Sequence, residues 1–214
     1  MYFRLQPSRS LLTPLLLAVL LAVTGAHAQG PGQANTTNQP LIRFSTQADE
    51  PVIEYRLVHH LLAERDPVPL LRIYGDGQVK VHYPGYMKKA GDYEYHLSRP
   101  ELDALLRSLS QDGVIDFDHA AVMSERKQLK GQERAAGILH SISDTTETII
   151  DIRLDEYQRG PGTGRIKNLR KRLAWDNLEQ DARHFPQSKT IKGAANGAQR
   201  LHGLLDHPGM QRVQ

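Results

Sequence analysis

The sequence contains no cysteine. This absence excludes disulfide bonds, a thiol nucleophile, a cysteine-rich zinc site and a lipid anchor attached to cysteine. A fold built from this chain therefore depends on its apolar core alone. About 185 residues remain once the N-terminal segment described next is set aside, which is enough for one domain of ordinary size.

Acidic residues are missing from residues 1–28, which otherwise have the three-part layout of a secretory signal peptide. Arg4 and Arg9 precede an apolar run at residues 11–23, and a small-x-small site ends at Ala28. The run is shorter than the roughly 20 apolar residues that a membrane-spanning helix needs. We therefore expect cleavage after Ala28, export to a bacterial periplasm, and no transmembrane anchor once the signal peptide is removed.

A strong excess of one charge is also lacking. Removal of the signal peptide takes away Arg4 and Arg9 but no acidic residue, so the formal net charge falls from +3 to +1. A chain this close to neutral has no global field that attracts nucleic acid, and export makes such a partner less accessible still. We therefore expect no nucleic-acid partner, and any preference for anions has to be local.

Apolar residues are scarce on both sides of the expected domain. Residues 29–50 begin with glycine, glutamine, asparagine and threonine, and such a composition buries too little surface to offset the entropy of ordering. Residues 187–214 are rich in glycine and glutamine. We expect a flexible lead-in at 29–50, a single α+β domain at 51–186 and a weakly structured C-terminal tail at 187–214.

A β-hairpin is the strongest structural signal in the chain. Strand-like segments at residues 70–74 and 78–83 flank the glycine–aspartate–glycine turn at 75–77. A three-residue loop with glycine in the left-handed position joins antiparallel strands, and the resulting register places Leu71 opposite Val81. One face of the hairpin is then continuously apolar.

Period-two and helical patterns place further elements around this hairpin. Alternation of apolar and polar residues predicts strands at 52–58 and 92–97, and Ser98 with Glu101 has the spacing of a helix start. Further helices and strands are predicted at residues 98–112, 120–136, 138–142, 148–154, 166–175 and 177–184. We therefore predict an α+β fold in which an antiparallel meander of about six to seven strands is packed on one face by helices.

An aromatic and basic loop between two predicted strands is the first candidate binding site. Tyr86, Met87 and Lys88 lie at the top of this loop. Exposed aromatic and cationic side chains are typical of recognition surfaces. We predict that these three residues contact an envelope protein.

The only dense basic run of the expected mature chain is the second candidate. It spans residues 165–172 and includes Arg170, Lys171 and Arg172. Such a run suits contact with lipid head groups, anionic glycans or an acidic protein, although a solvated strand face has the same composition. We predict an anionic envelope component as the partner of these residues.

Two sets of side chains invite a catalytic interpretation. His82, Glu94 and His96 share the polar side of adjacent predicted strands, and a register with Tyr83 opposite Tyr93 would place His82 opposite Glu94. Two histidines and a carboxylate suit zinc or iron. The set lacks a motif of fixed ligand spacing. Asp116 and Asp118 could serve acid–base chemistry in a cleft, although aspartates at this kind of connector also cap helices. We therefore predict no catalytic set, no metal and no cofactor.

A resemblance adds to this interpretation. The sequence LRIYGDG at 71–77, the sequence YMKKAGDY at 86–93 and a leucine-rich helix followed by DFD at 116–118 look like a group of uncharacterised bacterial exported proteins. The match covers about a quarter of the chain. It implies an antiparallel α+β domain, and it brings no known activity and no catalytic residue.

These observations favour a non-catalytic periplasmic binding or protein-interaction domain. The alternative is an envelope-associated hydrolase that uses Asp116, Asp118 or the His82, Glu94 and His96 face. A third hypothesis is peripheral attachment to anionic lipid through residues 165–172. The sequence indicates neither the identity of the ligand nor the oligomeric state.

Overall fold

A computed structural model of the chain describes residues 39–47, 49–62, 66–138 and 145–213. The predicted signal peptide at 1–28 lies outside the described residues, as does most of the predicted lead-in. The predicted strand at 138–142 lies outside them too, except for its first residue.

The described residues form an antiparallel α+β fold with eight strands and four α-helices. The strands are β1 (Leu41–Arg43), β2 (Pro51–His59), β3 (Leu71–Tyr74), β4 (Gln78–Tyr83), β5 (Gly91–His96), β6 (Thr146–Gln158), β7 (Ile166–Asp176) and β8 (Gln211–Arg212). The α-helices are α1 (Arg99–Gln111), α2 (His119–Ala135), α3 (Leu178–His184) and α4 (Lys189–Gly203), and a short 3-10 helix follows at Leu204–Asp206.

The sheet confirms the predicted fold class. Strands β2 to β5 form a meander, β6 pairs with β2, and β7 pairs with the other side of β6. β1 pairs with the far half of β6, and β8 pairs with β5. The buried side chains of α1, α3 and α4 share one core with the apolar face of the sheet, which leaves the other face of the sheet polar.

The predicted hairpin is confirmed in both turn and register. Leu71 pairs with Val81, and the turn residue Gly77 has a φ of 99°, a conformation that favours glycine. Gly75 is needed for a different reason. A Cβ atom at this position would lie 1.7 Å from the carbonyl oxygen of Ser45, so the chain before β2 fits only against a glycine here.

Helix α1 begins where the sequence predicts. The Ser98 backbone N–H and hydroxyl both donate hydrogen bonds to the Glu101 carboxylate, at 2.7 and 2.6 Å. These bonds hold the pKa of Glu101 below its usual value. Leu102, Leu106 and Leu109 are fully buried, so the predicted leucine face is the one that packs on the sheet.

The prediction of a weakly structured tail at 187–214 is wrong. Helix α4 occupies this segment, and Ser188 caps it by accepting the Ile191 N–H at 3.1 Å. Its buried face consists of Ile191, Ala194, Gly197, Ala198 and Leu201. Small side chains lower the hydropathy of the segment, but they allow the helix to approach its neighbours closely. At Gly197 an added Cβ would lie 2.4 Å from a methyl group of Val114.

The prediction that all of 29–50 is a flexible lead-in is also wrong. Strand β1 lies in this segment, where Leu41 pairs with Gln158 and Arg43 with Glu156. Phe44 is buried beneath the guanidinium of Arg99, whose central carbon is 4.1 Å from the ring centroid. A strand of three residues is too short to show a periodic pattern in the sequence. Pairing with the longer strand β6 holds it in place.

Helix α2 is mostly solvated, as its composition predicts. Val122 is its one buried residue. Asp118 caps the helix by accepting the Ala121 N–H, and the helix is attached further along through an ion pair of Arg126 with the buried Asp181. No helix in the described ranges is both long enough and apolar enough to cross a membrane.

Candidate functional site

The predicted recognition loop joins β4 to β5. Tyr86 is 51% exposed and Lys88 is exposed, whereas Met87 packs against the hydrophobic core. A turn fixes this arrangement, since the Met87 N–H donates to the Pro84 carbonyl at 2.9 Å. The structure therefore presents Tyr86 and Lys88 to solvent and gives Met87 a structural position.

Tyr86 lines a shallow cavity of about 310 Å³ together with residues from two other segments. Leu61 and Leu62, which follow the end of β2, are 69% and 37% exposed. Thr145 and Thr146, at the start of β6, complete the lining with His59. Leu61, Leu62 and Tyr86 are called the Tyr86 patch below.

The polar groups around the Tyr86 patch are held in place by hydrogen bonds. His59 Nδ1 lies 3.1 Å from the Thr146 hydroxyl, which joins the end of β2 to the start of β6. Partial burial, and then the nearby carboxylate of Asp66, raise the pKa of Tyr86. Its hydroxyl therefore stays protonated and serves as a hydrogen-bond donor. An apolar depression with a fixed polar rim is the arrangement found in the centre of protein contacts.

The two leucines of this patch have only a weak signal in the sequence. The apolar pair directly follows His59 and His60, where the alternation of β2 has ended. From the sequence, an apolar pair outside a strand can be a buried connector as easily as part of an exposed contact surface. Only the folded chain brings Leu61 and Leu62 to Tyr86.

His82 has a different role from the predicted one. It pairs in register with Asp92 and not with Glu94, because the β4–β5 register is shifted by two residues from the predicted one. Its Nδ1 lies 2.8 Å from Asp92 Oδ1, and its Nε2 lies 2.9 Å from Asp66 Oδ2. Burial alone would lower the pKa of His82, but the two carboxylates outweigh it and raise the pKa above 6.5.

The predicted set of His82, Glu94 and His96 does not come together as a site. Glu94 pairs in register with Lys80, and His96 pairs with Gln78. Within the described ranges, no group of three or more histidine or carboxylate side chains is placed to hold a metal ion.

The basic run at 165–172 is divided between the two faces of β7. Arg170 and Arg172 lie on the open face, where they form ion pairs with Glu50 and Asp151 at 3.1 and 3.2 Å. Lys171 pairs in register with the buried Ile152, so it belongs to the other face. Arg170 lines a polar cavity of about 330 Å³, but its charge is compensated. The three residues do not form one basic surface.

Asp116 and Asp118 have structural partners. The Asp116 carboxylate accepts a hydrogen bond from the buried Tyr157 hydroxyl at 2.6 Å and lies 3.6 Å from Arg159. Burial, together with this carboxylate, raises the pKa of Tyr157. Asp118 caps α2.

Compared with protein families, with curated proteins and with solved structures, the chain matches none of them. A functional assignment therefore depends on the surfaces of this chain. Among the predicted site residues, Tyr86 lines a cavity together with two other exposed apolar side chains, Leu61 and Leu62.

Proposed function

We propose that this chain is an exported, periplasmic and non-catalytic interaction domain that binds an envelope protein through the Tyr86 patch. The observation that carries the proposal is the convergence of three exposed apolar side chains on one cavity of about 310 Å³. The three come from two segments that lie far apart in sequence.

Physical chemistry favours a protein partner for this surface. Transfer of a leucine or aromatic side chain from water to a packed contact stabilises it by roughly 1.5–3 kcal/mol, so a partner that covers the patch gains several kcal/mol. Tyrosine is also frequent at binding hot spots, because it combines apolar area with a hydroxyl donor. The partner we propose presents an apolar side chain that enters the cavity and an acceptor for the Tyr86 hydroxyl.

The periplasmic part of the proposal depends on the N-terminal sequence. Basic residues, an apolar run and a small-x-small site occur in order at 1–28, and the chain lacks cysteine. The hydrolase alternative has less support, because Asp116, Asp118 and His82 are each engaged by structural partners.

The test compares a patch variant with a matched control. Leu62→Ser combined with Tyr86→Ser removes two of the three side chains of the Tyr86 patch, and Ile166→Ser removes a comparably exposed apolar residue of β7 that lies outside it. Proteins retained from an envelope extract by the immobilised wild type are identified, and the affinity of each purified candidate is then measured.

We expect one envelope protein to bind the wild type and the Ile166→Ser control alike, and to bind the double variant at least about tenfold more weakly. Equal binding by the double variant and the wild type would contradict the proposed function. So would equal weakening by the control.

A further inference from the structure

One row of side chains crosses the open face of the sheet, on the side opposite the helices. Strand register places six charged residues in this row. Two neighbouring acidic residues are followed by two neighbouring basic ones, with one further basic residue before them and one further acidic residue after them. The row runs through Arg172, Asp151, Glu54, Arg72, Lys80 and Glu94.

Glu54 is aligned in register with Arg72, but its carboxylate binds two other arginines. Its Oε1 accepts a hydrogen bond from Arg153 at 2.8 Å, and its Oε2 accepts one from Arg56 at 3.2 Å. The residue is only 8% exposed, and its ion pairs among the described residues are with these two arginines and not with Arg72. Glu54 therefore does not compensate the charge of Arg72.

Arg72 lacks an anionic partner within the part of the chain that the structure describes. Its Nε atom is buried and forms no hydrogen bond. A buried charged donor without an acceptor costs free energy, because it has lost its water without gaining a replacement. The neighbours Leu71 and Ile73 are fully buried, so β3 holds the Arg72 stem in place.

Lys80 lies directly opposite Arg72 and adds a second charge of the same sign. Like charges in this position repel. Its Nζ lies 5.2 Å from the Tyr74 ring centroid, and no carboxylate lies within ion-pair distance of it in the described ranges. Glu94, its partner in register on β5, accepts a hydrogen bond from Gln78 instead, at 3.4 Å.

We propose that Arg72 and Lys80 together bind an oxyanion, such as a phosphate or sulfate group. A guanidinium offers a planar pair of donors to two oxygens of such a group, and an ammonium adds a third donor to the same group. The bound anion compensates the charge of Arg72 through its terminal N–H groups and offsets the repulsion between the two cations. This site is separate from the Tyr86 patch and does not depend on it.

The proposal predicts opposite effects on stability with and without the anion. Lys80→Gln raises the unfolding temperature in the absence of phosphate, because it removes the repulsion with Arg72. The same substitution weakens phosphate binding about tenfold, the loss expected for one charge-assisted hydrogen bond. Arg72→Lys keeps the charge but loses the planar donor pair, so it also weakens binding.

The experiment measures the unfolding temperature of the chain starting at residue 29 against inorganic phosphate and sulfate at constant ionic strength. Arg172→Gln is the matched control, because Arg172 lies in the same row and is paired with Asp151. Glu94→Gln removes the nearest anion in register with Lys80 and strengthens binding. Vesicles of phosphatidylglycerol with phosphatidylcholine, against phosphatidylcholine alone, distinguish a lipid phosphate from a dissolved one.

Binding of either phosphate source that Lys80→Gln and Arg72→Lys weaken, and Arg172→Gln does not, supports the site. The proposal is overturned if neither source binds the wild type. It is equally overturned if Arg172→Gln weakens binding as much as the other two variants do, because the attraction is then a general effect of surface charge.

Discussion

His82 has a carboxylate at each ring nitrogen, and this arrangement decides what the residue does. An imidazole that donates both of its protons has no free nitrogen with which to take a proton from a substrate. Its role is instead structural, because its two ring nitrogens contact Asp92 and Asp66 and so tie Asp66 to the edge of β4 and β5. The sequence indicated the correct face for His82 but not its partners. Asp66 lies 16 residues away in a segment without periodicity.

Replacement of His82 gives a prediction about pH. The raised pKa of His82 stabilises the fold below pH 6.5, and this stabilisation is lost as the pH rises through the folded pKa. The lowered pKa of Asp66 stabilises the fold above pH 3.8, and this stabilisation is lost as the pH falls through the folded pKa. His82→Gln should therefore cost about 1 kcal/mol near pH 5 and clearly less near pH 9. Urea unfolding of both proteins at the two pH values checks this, and a cost independent of pH would contradict it.

At the scale of elements, the sequence predicted strands and helices correctly where an apolar pattern repeats over many residues. It did not predict elements that are short or whose buried residues are small. Strands β2 to β6 and helix α1 follow alternation or leucine spacing that the sequence displays. Helix α4 was missed because its buried face is mostly alanine and glycine. The β4–β5 register was wrong by two residues because loop length was ambiguous, yet a shift of two leaves every side chain on its predicted face.

The importance of α4 can be tested at one residue. Leu201 is fully buried in the core, whereas Gln199 is exposed on the same helix. We expect Leu201→Ala to lower the free energy of unfolding by about 2–4 kcal/mol, because it leaves a cavity, and Gln199→Ala to change it by less than about 0.5 kcal/mol. Chemical denaturation measures both. Equal, small effects would mean that α4 does not pack on the core in solution.

At the scale of the whole molecule, the sheet divides the protein into a helix-covered face and an open, charged face. The sequence predicted this division, because alternating strands make it unavoidable. The hairpin register in the sequence places Arg72 opposite Lys80, with Glu54 expected to relieve their repulsion, but Glu54 binds other arginines instead, and the Tyr86 patch was not predicted. The Tyr86 patch depends on which segments the fold brings together, and the uncompensated cations depend on which side chains already have partners. Both are properties of the folded chain.

Export gives a whole-molecule prediction of its own. Protein purified from the native cell should begin at Gln29, because cleavage is expected after Ala28. Mass spectrometry of the intact protein and of its N-terminal peptide, after separation of periplasm from cytoplasm, measures this. Protein that retains Met1 in the cytoplasmic fraction would contradict the proposed compartment and the envelope partner with it.

The central claim is that the Tyr86 patch contacts an envelope protein, and crosslinking in living cells tests it most directly. A photoreactive amino acid is placed at position 62 or 86 inside the patch, or at the exposed position 166 outside it. We predict one adduct of defined mass from positions 62 and 86 and none from position 166. The absence of an adduct from both patch positions, or the same adduct from all three, would contradict the claim.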